Sequence, residues 1–293
     1  MPHSFQRDWA AMTRLPNAPT VWSNVFTGWV IAGGVFAGHA FGRFGLTLLG
    51  GTLFYAGGAL FSEVWDVEFD REHRSERPLP SGRVKRPIAA VVSCALMAAG
   101  AALFSLAGAP IQVVATLVLC IVLYAFIHKA AAVPGIVLMG LCRALLGWAA
   151  ALAAMESAHD ARYWTIALWA VVAAISWLAR GESRAGAGGI VAPLILWMLA
   201  PLAGALVAFS FFRANWGALA GFALWTVVCA WAVRPLRESG SSTARKATVG
   251  RMLAALPVVD ALFLLVAGFG AWALVPLGCA AAAKIMQRIA SAT

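Results

Sequence analysis

Six of the chain's 12 acidic residues fall between Glu63 and Glu76, inside the stretch SEVWDVEFDREHRSERPLPSGRVKRP. Glu63, Asp66 and Asp70 are spaced i, i+3, i+7, so a continuing helix places all three carboxylates on one face. Like charges at that spacing repel, and the negative end of the helix macrodipole adds to the repulsion. A divalent cation reverses the sign of the argument: Mg²⁺ takes one or two carboxylates together with waters and substrate phosphates. Arg77, Arg83, Lys85 and Arg86 follow, cations able to hold phosphate oxygens, and PLPSG turns the chain between them. The same letters also suit a solvated interfacial helix, in which Asp70 and Arg74 stand i, i+4 and Arg71, Glu72 and Glu76 extend a lattice of weak ion pairs.

The elements that must position these groups are apolar. The 293 residues are 62% hydrophobic and 12% charged, with a mean hydropathy of +0.82, which excludes a water-soluble globule. About 20 apolar residues cross a bilayer. Nine spans are predicted: Ala18 to Phe41, Gly45 to Trp65, Pro87 to Ala109, Ile111 to Ile127, Val133 to Met155, Tyr163 to Ala179, Gly188 to Phe212, Trp216 to Val233, and Leu253 to Ala283. Residues 1–293 read as a single all-α membrane domain, and the polar opening residues contain no cleavable signal. The net charge of +10 sorts to one side, because 16 of the 22 Lys and Arg residues fall before the first span or after even-numbered spans. That places the amino terminus in the cytoplasm and, with nine spans, the carboxyl terminus opposite. Basic residues confined to loops in this way describe topology, not a nucleic-acid-binding face.

Other polar groups fall within the spans. Arg143 and Asp260 lie deep in apolar runs, where each needs a partner or a cavity, and an interhelical strut between them is the expectation. Asn24 reads as an interhelical hydrogen bond and His128 as a solvated edge residue. The five cysteines read as small packing residues. Trp9, Trp22, Trp65, Trp164 and Trp216 are expected at the membrane interfaces.

The acidic helix end followed by RPLPSG resembles the first aspartate-rich motif of the UbiA superfamily of intramembrane prenyltransferases. Where that family reads approximately N-D-x-x-D-x-x-x-D and then R-P-L-P-S-G, this chain has Ser62, Glu63, Asp66 and Asp70, then Arg77 through Gly82. Tyr124 and Lys129 in LYAFIHK resemble a second landmark. The resemblance implies a nine-helix bundle in a bacterial inner membrane, with a cytoplasmic site where Mg²⁺ grips the diphosphate of an isoprenyl donor and a hydrophobic or aromatic acceptor captures the allylic cation. It assigns Asp66 and Asp70 to metal with Glu63 in support. Arg77 and Lys129 go to diphosphate oxygens, with Tyr124, Arg83, Arg180 and Arg184 around them. The second motif departs from the family: in LARGESRAG its first acid is Leu178 and its second is Glu182, the surviving metal ligand. That divergence is similar to the EboC-like branch of the superfamily. It keeps open a non-catalytic relative that binds an isoprenoid or handles lipid.

Overall fold

A computed structural model describes residues 5–155, 158–183, 189–209, 216–239 and 241–289, and every regular element among them is a helix. In chain order these are α1 (Phe5–Met12), α2 (Ala18–Ile31), α3 (Gly38–Trp65), α4 (Val67–His73), α5 (Arg86–Leu106), α6 (Ile111–Ile127), α7 (Ala132–Ala154), α8 (Arg162–Ser183), α9 (Val191–Phe209), α10 (Trp216–Glu238), α11 (Ser242–Ala254), α12 (Leu256–Val266) and α13 (Leu274–Ile289). Among the described residues, seven stretches are long and apolar enough to cross a membrane: α3, α5, α7, the 22 residues His159–Arg180, α9, α10 and the α11–α12 run; α6 is a shorter apolar helix.

Almost every residue of α2 is buried, and α3, α7, α12 and α13 pack around it. Small residues permit the closeness: a Cβ on Gly28 would come within 2.6 Å of the Gly147 carbonyl oxygen, so α2 and α7 cross nearly backbone to backbone. One core forms around Trp164, Trp197, Trp225 and Leu262 and joins α8, α9, α10 and α12 to α2. Another forms around Val21, Phe54, Phe104 and Leu117, where α3 lies along α5. A small third core of Met12, Leu60, Val64, Val67, Leu79, Val84 and Ala89 ties α1, the end of α3, α4 and the PLPSG turn together. At the opposite end, Arg43 donates to the carbonyls of Ala107 and Ala153 and so joins α3 to the last turns of α5 and α7.

The structure redraws two of the nine expected spans. The first stops early: α2 ends at Ile31, the chain turns through Gly33 at φ +83°, and residues from Gly38 onward already belong to α3. The last is two helices, because Gly268 at φ +84° ends α12, a 3₁₀ turn spans Gly270–Ala273, and α13 returns. Gln287 then donates to the Asn17 side chain at 3.2 Å. The last turns of α13 therefore stand at the same end of the bundle as the start of α2, not opposite it. Neither break shows in hydropathy, since both turns are built from apolar letters and glycine.

Candidate functional site

The acidic stretch lies where α3 passes into α4. Asp66 is the junction, with φ −78° and ψ −2°, and the helical hydrogen bonds continue through it from Asp66 N to Ser62 O and from Asp70 N to Asp66 O. The three carboxylates nevertheless do not converge. Glu63 and Asp70 face one another through Arg77, whose Nη1 donates to Glu63 at 3.0 and 3.1 Å and to Asp70 Oδ2 at 2.9 Å. Arg14 approaches Glu63 at 3.6 Å from the turn before α2. Asp66 points elsewhere, to His128 Nε2 at 3.2 Å and Lys129 Nζ at 3.4 Å at the end of α6.

The third core explains this arrangement. Leu60, Val64 and Val67 turn inward against Leu79 and Val84, so the PLPSG loop folds back over α4 and delivers Arg77 between the two acids. Gly82, at φ +77°, permits that turn, and Val84 N closes it on Pro78 O. Asp70 is buried, and among the described residues its Oδ1 accepts no hydrogen bond. An orphaned buried carboxylate oxygen is an acceptor that a cation fits. Among the described residues no three His, Cys, Asp or Glu side chains form one metal cage. Two carboxylates completed by phosphate oxygens are nevertheless a usual Mg²⁺ environment.

In place of the expected solvated edge, the structure partly buries His128 in the site. Its ring stacks on Tyr124 with centroids 4.5 Å apart, and the Tyr124 carbonyl takes Nδ1 at 2.9 Å, which leaves Nε2 facing Asp66. Lys129 rests over the Phe69 ring at 4.0 Å. Arg180 crosses from α8 to the α6–α7 turn, donating to the carbonyls of His128 and Ala132. Arg83 stands apart, paired with Asp8 of α1 at 3.0 Å and bonded to the Glu76 carbonyl. The outer face carries ion pairs, but through other residues than the expected lattice: Glu68 pairs with Arg71 at 2.7 Å and with Arg86 at 3.2 Å, while Asp70 turns inward to Arg77 instead of pairing with Arg74.

The second motif brings no described carboxylate to the acids, though its Arg180 reaches the His128 carbonyl. Leu178 is buried in the large core. Glu182 lies in the last turn of α8, with its side chain outside the described residues, and Arg184 lies outside them altogether. The expected strut between Arg143 and Asp260 is also replaced. Asp260 accepts from Ser23, Asn24 (2.8 Å) and Trp164 (2.8 Å), which takes Trp164 from the interface into the core, and Arg143 donates to Thr20. His128 was the residue the sequence concealed; its one signal is the i, i+4 spacing to Tyr124 at the mouth of a helix.

A bundle of apolar helices that gathers carboxylates and guanidinium groups at one end is an integral, multi-pass membrane protein with a polar site at that end. The chain belongs to the UbiA prenyltransferase family, whose model matches residues 18–256. Over 57 residues it is 46% identical to digeranylgeranylglyceryl phosphate synthase of Sulfolobus acidocaldarius, a match spanning 20% of this chain and 21% of that protein. Its fold resembles a solved digeranylgeranylglyceryl phosphate synthase (TM-score 0.64, 16% identity, 89% of this chain and 98% of that one). It also resembles a UbiA homologue from Archaeoglobus fulgidus bound to GPP and Mg²⁺ (TM-score 0.64, 12% identity, 92% and 99%).

Proposed function

We propose that this chain is a Mg²⁺-dependent intramembrane prenyltransferase that moves an isoprenyl group from a prenyl diphosphate to an aromatic or lipid-like acceptor at the α3–α4 end of the bundle. The orphaned Oδ1 of Asp70, buried beside Glu63 and bridged by Arg77, is the observation that carries this reading. A diphosphate brings several negative oxygens, and Arg77, Lys129 and Arg14 are cations already standing among the acids. Glu63 and Asp70 would hold Mg²⁺ together with phosphate oxygens, with Asp66, now facing His128 and Lys129, and Glu182 of α8 as further candidate ligands. Bound there, Mg²⁺ supplies Lewis-acid stabilisation of the diphosphate as it leaves. Arg77 and Lys129 hold phosphate oxygens, Arg180 fixes the α6–α7 turn beneath them, and Tyr124 walls the site through its stack on His128. Arg184 is a further diphosphate candidate. Arg83, held by Asp8, steadies the loop that carries Arg77. The amino terminus and the site face the cytoplasm in this reading, as the basic loops favour.

A second reading, a non-catalytic relative that binds isoprenoids, draws on Leu178, which occupies the first acid's place in the second motif and packs in the core. Purified protein in lipid nanodiscs, given labelled geranyl diphosphate and an acceptor panel, separates the two. Transferase activity appears as Mg²⁺-dependent diphosphate release. Mg²⁺-dependent binding without release across the panel supports the binder. Asp66→Asn and Asp70→Asn should each weaken Mg²⁺-dependent binding at least tenfold, the order of a lost charge-assisted contact; unchanged binding in both would remove the metal assignment.

A further inference from the structure

Below the acidic end lies a second polar group that the proposed chemistry leaves unused. Arg143, in the middle of α7, is 9% exposed. Its Nη2 donates to Thr20 Oγ1 at 2.8 Å, and its guanidinium carbon stands 5.2 Å from the centroid of the Tyr55 ring. Thr20 gives its own hydroxyl proton to the Asn17 carbonyl at 2.7 Å, so its oxygen is committed as the acceptor that orients Arg143. The remaining Nη1 is buried, and among the described residues it has no hydrogen-bond partner. Asp260 does not close the gap: no ion pair joins the two among the described residues, and three donors from α2 and α8 serve its oxygens. The cluster presents one unspent, directed, cationic donor inside the bundle.

The donor substrate cannot satisfy it. Tyr55 precedes Glu63 by eight residues on α3, about 12 Å along the helix axis, so a diphosphate held by Arg77 and Lys129 lies a full helical layer away. The prenyl chain of that substrate carries no acceptor atom. What remains is the molecule that receives the prenyl group.

We propose that Arg143, oriented by Thr20 and Tyr55, anchors an anionic oxygen, carboxylate or phosphate, of the prenyl acceptor. This assignment rests on the transferase reading above. An aromatic carboxylate and a lipid phosphate present the same chemistry to a guanidinium fork.

Two probes distinguish these sources: 4-hydroxybenzoate and a monoalkylglyceryl phosphate. Full-length protein in nanodiscs is melted with each probe in the absence of donor, as wild type, Arg143→Met, Arg143→Lys and Thr20→Val. One of the two probes should raise the wild-type midpoint and reveal which source the site takes. Arg143→Met should bind that probe about tenfold more weakly, as expected for one lost charge-assisted hydrogen bond, with partial recovery in Arg143→Lys. Mg²⁺-dependent binding of geranyl diphosphate should stay unchanged in all variants. The assignment is overturned if neither probe stabilises wild type or if Arg143→Met responds to the probe as wild type does. It is also overturned if Arg143→Met destabilises the protein and adding Asp260→Asn restores both midpoint and probe response, the signature of a strut. Loss of geranyl diphosphate binding by wild type would instead remove the transferase reading, while the probe arm still reports on Arg143.

Discussion

Arg77 is held by two acids that would otherwise repel each other, and this makes it the residue on which the site's stability turns. Replacing it with Met leaves Glu63 and Asp70 facing without a counter-charge in a largely buried setting. Breaking one side of such a group costs about 3 kcal/mol. Arg77→Met should therefore lower stability by about that amount in chemical denaturation of the detergent-solubilised protein, and Mg²⁺ should restore part of it. A variant with wild-type stability and no response to Mg²⁺ would mean that the two carboxylates do not depend on a shared cation. The spacing of Glu63, Asp66 and Asp70 and the cations after them were legible in the letters. The turning of Asp66 toward His128 and Lys129 was not, because it depends on where α6 ends in space, 62 residues along the chain.

At the scale of the elements, contact between α2 and α7 sets the width of the bundle around Thr20 and Arg143. Gly28 faces the Gly147 carbonyl and the Trp164 ring, neither of which can yield as a flexible side chain would. Gly28→Val should cost about 2 kcal/mol by overpacking and lower the melting midpoint, whereas the same change at Gly42, where nothing lies within 4 Å, should leave it nearly unchanged. Equal effects at both positions would argue against a tight crossing. Hydropathy located α5, α6, α7 and α9 to within a few residues, since each is a continuous apolar run, but it gave the first turn of α3 to the span before it. It merged α12 with α13, because Gly-Phe-Gly-Ala-Trp-Ala turns the chain without a single charged letter. Only the backbone freedom of Gly268 marks the break.

For the whole molecule, the returned α13 moves Lys284 and Arg288 to the acidic end, where Lys284 lies 5.5 Å from the Trp231 ring. Single-cysteine variants in a background with the native cysteines replaced test this. Arg7→Cys and Arg288→Cys should react with an impermeant thiol reagent from the same side of sealed vesicles, and His159→Cys from the other. Labelling of Arg7→Cys and Arg288→Cys from opposite sides would contradict the Asn17–Gln287 contact. The bond from Trp22 Nε1 to Thr52 Oγ1, at 3.1 Å, marks a common level on α2 and α3. From that rung α3 climbs eleven residues to Glu63, about 16 Å, while α2 reaches its first residue after four, about 6 Å. The start of α2 therefore stops about 10 Å short of Glu63, and the chain before it spans that gap, with Met12 of α1 packed against Leu60 and Val64 and Arg14 beside Glu63.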